Sequence, residues 1–206
     1  MVNHRRMRLA FVAAALLGAL TALPALAAEA APATSGFKAD LIANIDHVSG
    51  QIAELAAAMP DAKWTWRPGP GVRSVSEVYM HIAEANYMFP KILGSTPPAA
   101  EPKDLEKITD RAKVMQELKD STAYLKAAIE KLSDADLDKK VKYFGMEGSE
   151  RSVLLVAMAH LHEHLGQSIA YARVNGVVPP WTAREMQKEQ QKKQKPAAKP
   201  GKMQQH

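Results

Sequence analysis

The sequence predicts an all-α protein, a four-helix bundle, from three observations. Four long segments place apolar residues at steps of three and four, which is the spacing of one helix face. Stretches rich in Gly and Pro separate these segments. No convincing pair of β-strands stands out between them. Helices that each carry one apolar stripe must bury the stripes against one another, and this favours a bundle.

The two ends of the chain are predicted to lie outside the bundle. Residues 1–27 combine a basic start, an apolar run and Ala25-Leu26-Ala27, which is typical of a secretory signal peptide with its cleavage site. A membrane anchor is the alternative, but the apolar run is shorter than the roughly 20 residues that a spanning helix needs. We therefore expect an exported protein, periplasmic or extracellular. Residues 28–36 read as a linker, and residues 183–206, rich in Lys, Gln and Pro, as a disordered basic tail.

The first two helices lie on either side of an irregular loop. Helix one is predicted from about Lys38 to Met59 and ends at a proline. The loop that follows, "DAKWTWRPGPGVR", contains two tryptophans and several turn signals. Ser74 and Glu77 then have the spacing of a capping box, which predicts that helix two starts near Val75 and runs to about Leu93.

The last two helices complete the predicted domain, residues 37–182. Helix three is expected from about Ile108 to Leu132. A polar connection with a short extended piece at residues 141–144 follows, and Gly145 and Gly148 are expected to turn the chain. Helix four begins near Ser149 or Ser152 and ends where Asn175-Gly176 supplies a left-handed cap.

The charge distribution excludes some classes of partner. The whole chain has a net charge of +5, but residues 28–182 carry 17 basic and 20 acidic side chains, a net charge of −3. A folded nucleic-acid-binding surface is therefore not expected. The expected partner is a small-molecule substrate or ligand of unknown identity, and a homodimer is a further option. The absence of Cys excludes disulfides, thiolate ligands and a cysteine nucleophile.

Three of the seven histidines lie within "AHLHEHLGQS", residues 159–168. On a helix His160 and His164 lie within about 40° of each other, whereas His162 is about 160° to 200° from both. An i, i+4 pair of imidazoles on an inward face is a common way for one helix to offer two metal ligands. His81 of helix two lies at the edge of that helix's apolar stripe and can supply a third. Hydrogen-bonded core histidines are the alternative, and spacing alone does not separate the two interpretations.

Two segments together resemble a known family. "WRPGPGVRSVSEVYMHIAEAN", residues 66–86, and "HLHEHLGQSIAYARVNGVVP", residues 160–179, are similar to the signature regions of the DinB-like superfamily, which includes metal-dependent thiol transferases and isomerases. The resemblance implies one divalent metal ion bound by His81, His160 and His164. Zinc is the expected metal, with nickel and iron as alternatives. The chain departs from the family in having Leu165 where members often have Arg, and in its extra His162.

Two classes of function follow from this resemblance and from the open fourth position that three histidines leave on a metal ion. The first is a metal-dependent hydrolase or thiol-type transferase, and the second is a non-catalytic metal- or ligand-binding bundle. No catalytic residue is assigned. Glu84 is interpreted as a solvated charge, Gln167 as a side chain that orients an imidazole, and Tyr171 as a core residue with a satisfied hydroxyl. Trp66 and Arg67 are expected to close the end of the bundle.

The mature protein is predicted to begin at Ala28, because small residues occupy both positions required before the cleavage site. Mass spectrometry of the exported protein should find this N-terminus. Full-length protein retained in the membrane would instead identify residues 1–27 as an anchor.

Overall fold

The structure, a computed structural model, describes residues 36–99 and 101–194. It confirms the all-α four-helix bundle, with α1 at Phe37–Ala58, α2 at Val75–Ile92, α3 at Arg111–Lys131 and α4 at Glu150–Val174. The predicted signal peptide and nearly all of the predicted linker lie outside the described residues. Within the described ranges no helix combines the length and the apolarity that crossing a bilayer requires.

The four helices pack so that each has two neighbours. α1 contacts α3 and α4, and α2 contacts the same two helices, which places α1 and α2 on opposite corners. The apolar stripe predicted on α1 is buried in the core: Leu41, Ile45, Val48, Ile52, Leu55 and Met59. The contact between α2 and α4 is the one that matters for function, because these two helices carry the candidate histidines.

Caps fix where the helices start and stop. Ser74 forms the predicted capping box at α2, where its backbone N–H donates to Glu77 Oε2 at 2.7 Å. α3 starts three residues later than predicted, because Asp110 Oδ1 accepts from the backbone N–H of Lys113 at 2.9 Å and caps the helix there. Gly176, with a φ of 77°, supplies the left-handed residue predicted after α4.

The expectation of no strand pair is wrong. Residues Lys140–Tyr143 (β1) and Met146–Ser149 (β2) form an antiparallel hairpin that turns at Phe144 and Gly145, with φ values of 49° and 76°. Phe is a poor residue for a left-handed turn position, so the sequence carries no normal hairpin signal there. Gly148 does not turn the chain but lies in β2, where an added Cβ would come within 2.4 Å of Ser152 Oγ. Any larger residue at this position would have to displace the side chains of Ser152 and Tyr143.

The predicted disordered tail is wrong for its first part. Residues Pro180–Gln194 form a further helix, α5, while residues 195–206 lie outside the described residues. Periodicity could not reveal this helix, because none of its residues is buried and no apolar stripe marks it. Good helix formers such as Glu, Gln and Lys favour a helix there without burial. α5 contacts α1 through an ion pair between Arg184 and Glu54 at 2.9 Å.

Deleting residues 183–206 should change the melting temperature of the protein by no more than about 3 °C. Within its described part, residues 183–194, the deletion removes one exposed ion pair, worth about 0–1 kcal/mol, and no buried residue. Circular dichroism of the truncated and full-length chains measures this, and Glu54→Gln in the full chain isolates the ion pair. A drop of about 10 °C or more would mean that α5 docks on the bundle through more than this contact.

Candidate metal centre

The structure brings the three predicted histidines together between α2 and α4. His160 Nε2 lies 3.1 Å from His81 Nε2 and 3.1 Å from His164 Nε2. His164 is buried, and His81 and His160 are half-buried. Their nitrogens therefore converge on one point from two helices, as the helical phasing of the sequence predicts.

A chain of hydrogen bonds sets the tautomer of His164. The Tyr171 hydroxyl donates to the backbone carbonyl of Arg73 at 3.2 Å, so it accepts from the amide Nε2 of Gln167 at 3.1 Å. This fixes the amide orientation, and Gln167 Oε1 faces His164 Nδ1 at 2.7 Å. An amide oxygen can only accept, so Nδ1 carries the proton and Nε2 presents a lone pair. The structure thus confirms the interpretations of Gln167 and Tyr171.

The second ring nitrogen of His81, Nδ1, has an acidic neighbour. Nδ1 lies 3.2 Å from Glu106 Oε1, a contact that meets the distance of an ion pair but not the geometry of a hydrogen bond. Arg73 binds the same carboxylate oxygen through its Nε at 3.0 Å. A carboxylate at Nδ1 favours the proton on that nitrogen and leaves the Nε2 lone pair facing His160.

These contacts test whether the site suits a cation. Lone pairs of His81 and His164 both point at His160 Nε2, which can donate only one hydrogen bond in its neutral form. Without a cation, at least one pair of nitrogens only 3.1 Å apart stays unsatisfied. Three neutral imidazoles are also a common donor set for zinc. The residues present therefore fit a divalent metal ion.

Burial favours the neutral form of His81 and of His160. Burial lowers the pKa of His81, and Arg73 adds to the effect. Burial lowers the pKa of His160 to about 3, with further contributions from His164, His81 and Arg73. Neutral imidazole is the form that binds metal, so at neutral pH these two side chains need no deprotonation before they can do so.

Most of the other candidate residues fall where the sequence places them, but Arg67, expected to close the end of the bundle, lines a polar pocket with Arg73 and Gln167. His162 and His47 are exposed. Glu84 is also exposed, and its Oε2 lies 3.8 Å from His81 Nδ1. Trp66 packs edge-on against Tyr171 with ring centroids 5.4 Å apart, which agrees with its predicted role at the end of the bundle.

Glu106 and Arg73 are the residues that sequence reasoning missed. Glu106 lies in a one-turn 3-10 helix, Leu105–Lys107, within the connection between α2 and α3. No periodic spacing relates it to His81, 25 positions earlier, so no sequence pattern could place it at this imidazole. Arg73 precedes the capping box of α2 and could be read only as a loop residue.

A polar pocket of about 520 Å³ is lined by residues that contact the cluster. Its lining includes Gln167, which faces His164, and Glu106, which lies beside His81, together with Arg67 and Arg73. None of the three histidines belongs to that lining. The ring of Phe89 meets that of His160 edge-on at 5.9 Å.

Comparisons with known proteins agree with the fold. The sequence matches the family described as the DinB superfamily over residues 45–168. Among solved structures, a DinB-like protein from Bacillus cereus ATCC 10987 is 16% identical, with a TM-score of 0.60, and the match covers 68% of this chain and 93% of that one. A DinB-like protein from Bacillus subtilis, YjoA, is 21% identical, with a TM-score of 0.53 and the same coverage.

A third solved structure carries a functional description. YfiT from Bacillus subtilis, described as a probable metal-dependent hydrolase with an unusual four-helix bundle topology, is 18% identical with a TM-score of 0.56. The match covers 71% of this chain and 93% of YfiT. At these identities the solved structures support the fold alone. No protein with curated function matches the chain.

The metal-free protein should lose stability as the pH falls below about 6.5. The pKa of His160 is about 3 in the folded protein and near 6.5 when unfolded, so between these values the unfolded chain binds more protons. Stability is then fully present above about pH 6.5 and falls towards pH 3. Urea unfolding in the presence of a chelator at several pH values measures the slope. His160→Gln should flatten it and exposed His162→Gln should not, and equal slopes in all three proteins would contradict the prediction.

Proposed function

Because the chain belongs to the DinB superfamily, we propose that His81, His160 and His164 bind one divalent metal ion and that the protein is a metal-dependent hydrolase. The observation that carries the proposal is the convergence of three imidazole nitrogens from α2 and α4, with His160 Nε2 3.1 Å from both His81 Nε2 and His164 Nε2. The description of YfiT, a protein of the same fold, supports the choice of hydrolysis.

The donor set favours a reactive site over a closed structural one. Structural zinc sites usually have four protein ligands, whereas catalytic sites have three and leave a position open. Within residues 36–99 and 101–194, no carboxylate joins the group formed by His81, His160 and His164 at separations within 4.8 Å. A divalent ion there, with zinc as the first expectation, would supply Lewis acidity at its open position.

The surrounding residues hold the imidazoles in position. Hydrogen bonds through Gln167 and Tyr171 connect the ring of His164 to the backbone carbonyl of Arg73 and fix the orientation of the ring. Glu106, itself bound by Arg73, lies 3.2 Å from His81 Nδ1 and favours the proton on that nitrogen. Both devices keep Nε2 unprotonated and aimed at the centre of the cluster, which raises the affinity of imidazole for a cation.

The residues of the neighbouring polar pocket indicate the class of substrate. The polar pocket offers the guanidinium groups of Arg67 and Arg73, the carboxylates of Glu77 and Glu106, and the amide of Gln167. Both guanidinium groups are paired with these carboxylates, so the pocket has mixed charge. A small polar molecule with hydrogen-bonding groups of both kinds suits such a pocket. The ring of Phe89 adds an apolar contact to His160.

We further propose that the protein works outside the cytoplasm, in the periplasm or the extracellular space. The support is the signal-peptide pattern of residues 1–27. Export would also separate the protein from the cytosolic thiols on which family transferases act. This favours hydrolysis over thiol transfer.

Replacing any one of His81, His160 and His164 with Ala should weaken binding of Zn²⁺ by about 100-fold or more, because each change removes one of three ligands. Gln167→Ala should weaken it by about 10- to 100-fold, the usual effect of losing a group that orients a ligand. His162→Ala is the matched control and should bind like wild type, since His162 is exposed. Competition with a chromogenic chelator and elemental analysis measure the affinities. If His162→Ala lost metal and His160→Ala kept it, the assignment of the cluster would be wrong.

Activity is tested with the metal-loaded protein on a panel of esters, amides, phosphates and thiol conjugates. Hydrolysis that is lost in His160→Ala and kept in His162→Ala is the expected result. Transfer of a thiol without hydrolysis would reassign the reaction class. Stoichiometric metal binding with no turnover of any substrate would identify a non-catalytic metal-binding bundle.

A further inference from the structure

The turn of the β1–β2 hairpin carries a phenylalanine in a conformation that its side chain disfavours. Phe144 and Gly145 are the two turn residues, with φ values of 49° and 76°. Two-residue turns with positive φ at both positions strongly prefer Asn-Gly, Asp-Gly or Gly-Gly. A bulky residue with positive φ is an outlier, so the backbone preference of the turn does not explain a ring at position 144.

Burial does not explain this ring either. Phe144 remains 55% exposed, so much of its apolar surface gains nothing from the core. The residue therefore combines a strained backbone with an exposed aromatic side chain. Residues held in strained conformations cluster at active sites and at ligand-binding sites.

One intervening side chain joins the Phe144 ring to the histidine cluster. The ring of Phe144 meets that of Phe89 edge-on, with the centroids 6.2 Å apart, and Phe89 meets His160 in the same way at 5.9 Å. The rings of Phe144 and His160 are therefore at most about 12 Å apart. Phe89 is buried, so Phe144 is the member of this aromatic row that a ligand can contact.

We propose that Phe144 is a specificity-determining residue for the reaction at the histidine cluster, and that the substrate carries an aromatic group. This inference rests on the proposed metal-dependent function and extends it. The polar part of the substrate lies at the cluster, and its aromatic ring packs on the exposed face of Phe144. Aromatic rings pack favourably edge-on or offset, with centroids about 4.5–7 Å apart. Phe89 holds the Phe144 ring from the protein side and does not contact the substrate.

The test compares two hydroxamates, a class of compound that binds zinc through its oxygen atoms. 3-Phenylpropanohydroxamate and propanohydroxamate differ by one terminal phenyl ring, and calorimetry with the Zn²⁺-loaded full-length protein measures the Kd of each. The phenyl compound should bind wild type about tenfold more tightly. In Phe144→Asn this ratio should fall to about twofold or less, because the ring is lost while Asn suits the turn.

Two control variants isolate the effect of the ring. Phe144→Tyr keeps an aromatic ring and should keep the tenfold ratio. Met146→Gln is the matched control, because it removes a similarly exposed apolar side chain from the same hairpin, and it should also keep the ratio. Zn²⁺ affinity should stay at the wild-type value in all three variants, since none of them changes a histidine.

The melting temperature separates a role in binding from a role in stability. Phe144→Asn should melt within about 4 °C of wild type, because relief of backbone strain offsets the lost contact with Phe89. A drop of more than about 10 °C would assign the ring to the stability of the hairpin and overturn the inference.

The binding data distinguish failure of this inference from failure of the proposed function. Equal affinity of the two hydroxamates for wild type, or a tenfold ratio that survives in Phe144→Asn, would overturn the inference and leave the metal site standing. If neither hydroxamate bound to the Zn²⁺-loaded protein, the open metal position would be wrong and the inference would fall with it. A wild-type dimer that Phe144→Asn dissociates in sedimentation would also overturn the inference, since a second copy of the chain would then cover the ring.

Discussion

The hydrogen-bond chain from the Arg73 carbonyl through Tyr171 and Gln167 to His164 is the interaction on which the candidate site depends. Its direction is imposed at one end, because a backbone carbonyl can only accept. Every later donor and acceptor follows from that constraint, and the last step leaves a lone pair on His164 Nε2. The loop before α2 and the end of α4 are thereby joined to the chemistry of a single nitrogen atom.

The charged groups around His81 also favour a lone pair on Nε2, but they act through electrostatics rather than through a chain of hydrogen bonds. Glu106 stabilises a proton on Nδ1, and Arg73 holds Glu106 in place while opposing the protonation of both His81 and His160. An uncompensated carboxylate would raise the pKa of the imidazole and favour its charged form. Burial, with a smaller contribution from the guanidinium group, outweighs this effect and lowers the pKa of His81, so this imidazole has an acidic partner and still stays neutral. In the metal-free protein, nitrogen lone pairs in the bundle interior stay unsatisfied, which is destabilising. A bound cation would satisfy them.

Helix α2 contributes to two different environments, the histidine cluster and an apolar pocket between α1 and α3. α2 presents His81 to α4 and, at the next residue, Ile82 to the cavity between α1 and α3. Successive helical residues are about 100° apart, so neighbouring positions reach different sides of the bundle. A polar site and an apolar pocket can therefore coexist in a small domain without sharing a side chain.

Local pattern in the sequence determined the helices and part of the site. The apolar stripes, the capping box at Ser74 and the glycine after α4 are short-range signals, and the common face of His160 and His164 follows from helical geometry alone. Tertiary structure decided what depends on contacts between distant segments. Glu106 reaches His81 from an aperiodic connection, and Phe144 occupies a left-handed turn position that its own preference opposes. α5 forms without a buried face. In each of these cases, the conformation depends on contacts with distant residues or on the backbone preference of the local sequence. Hydrophobic periodicity carries no information on either.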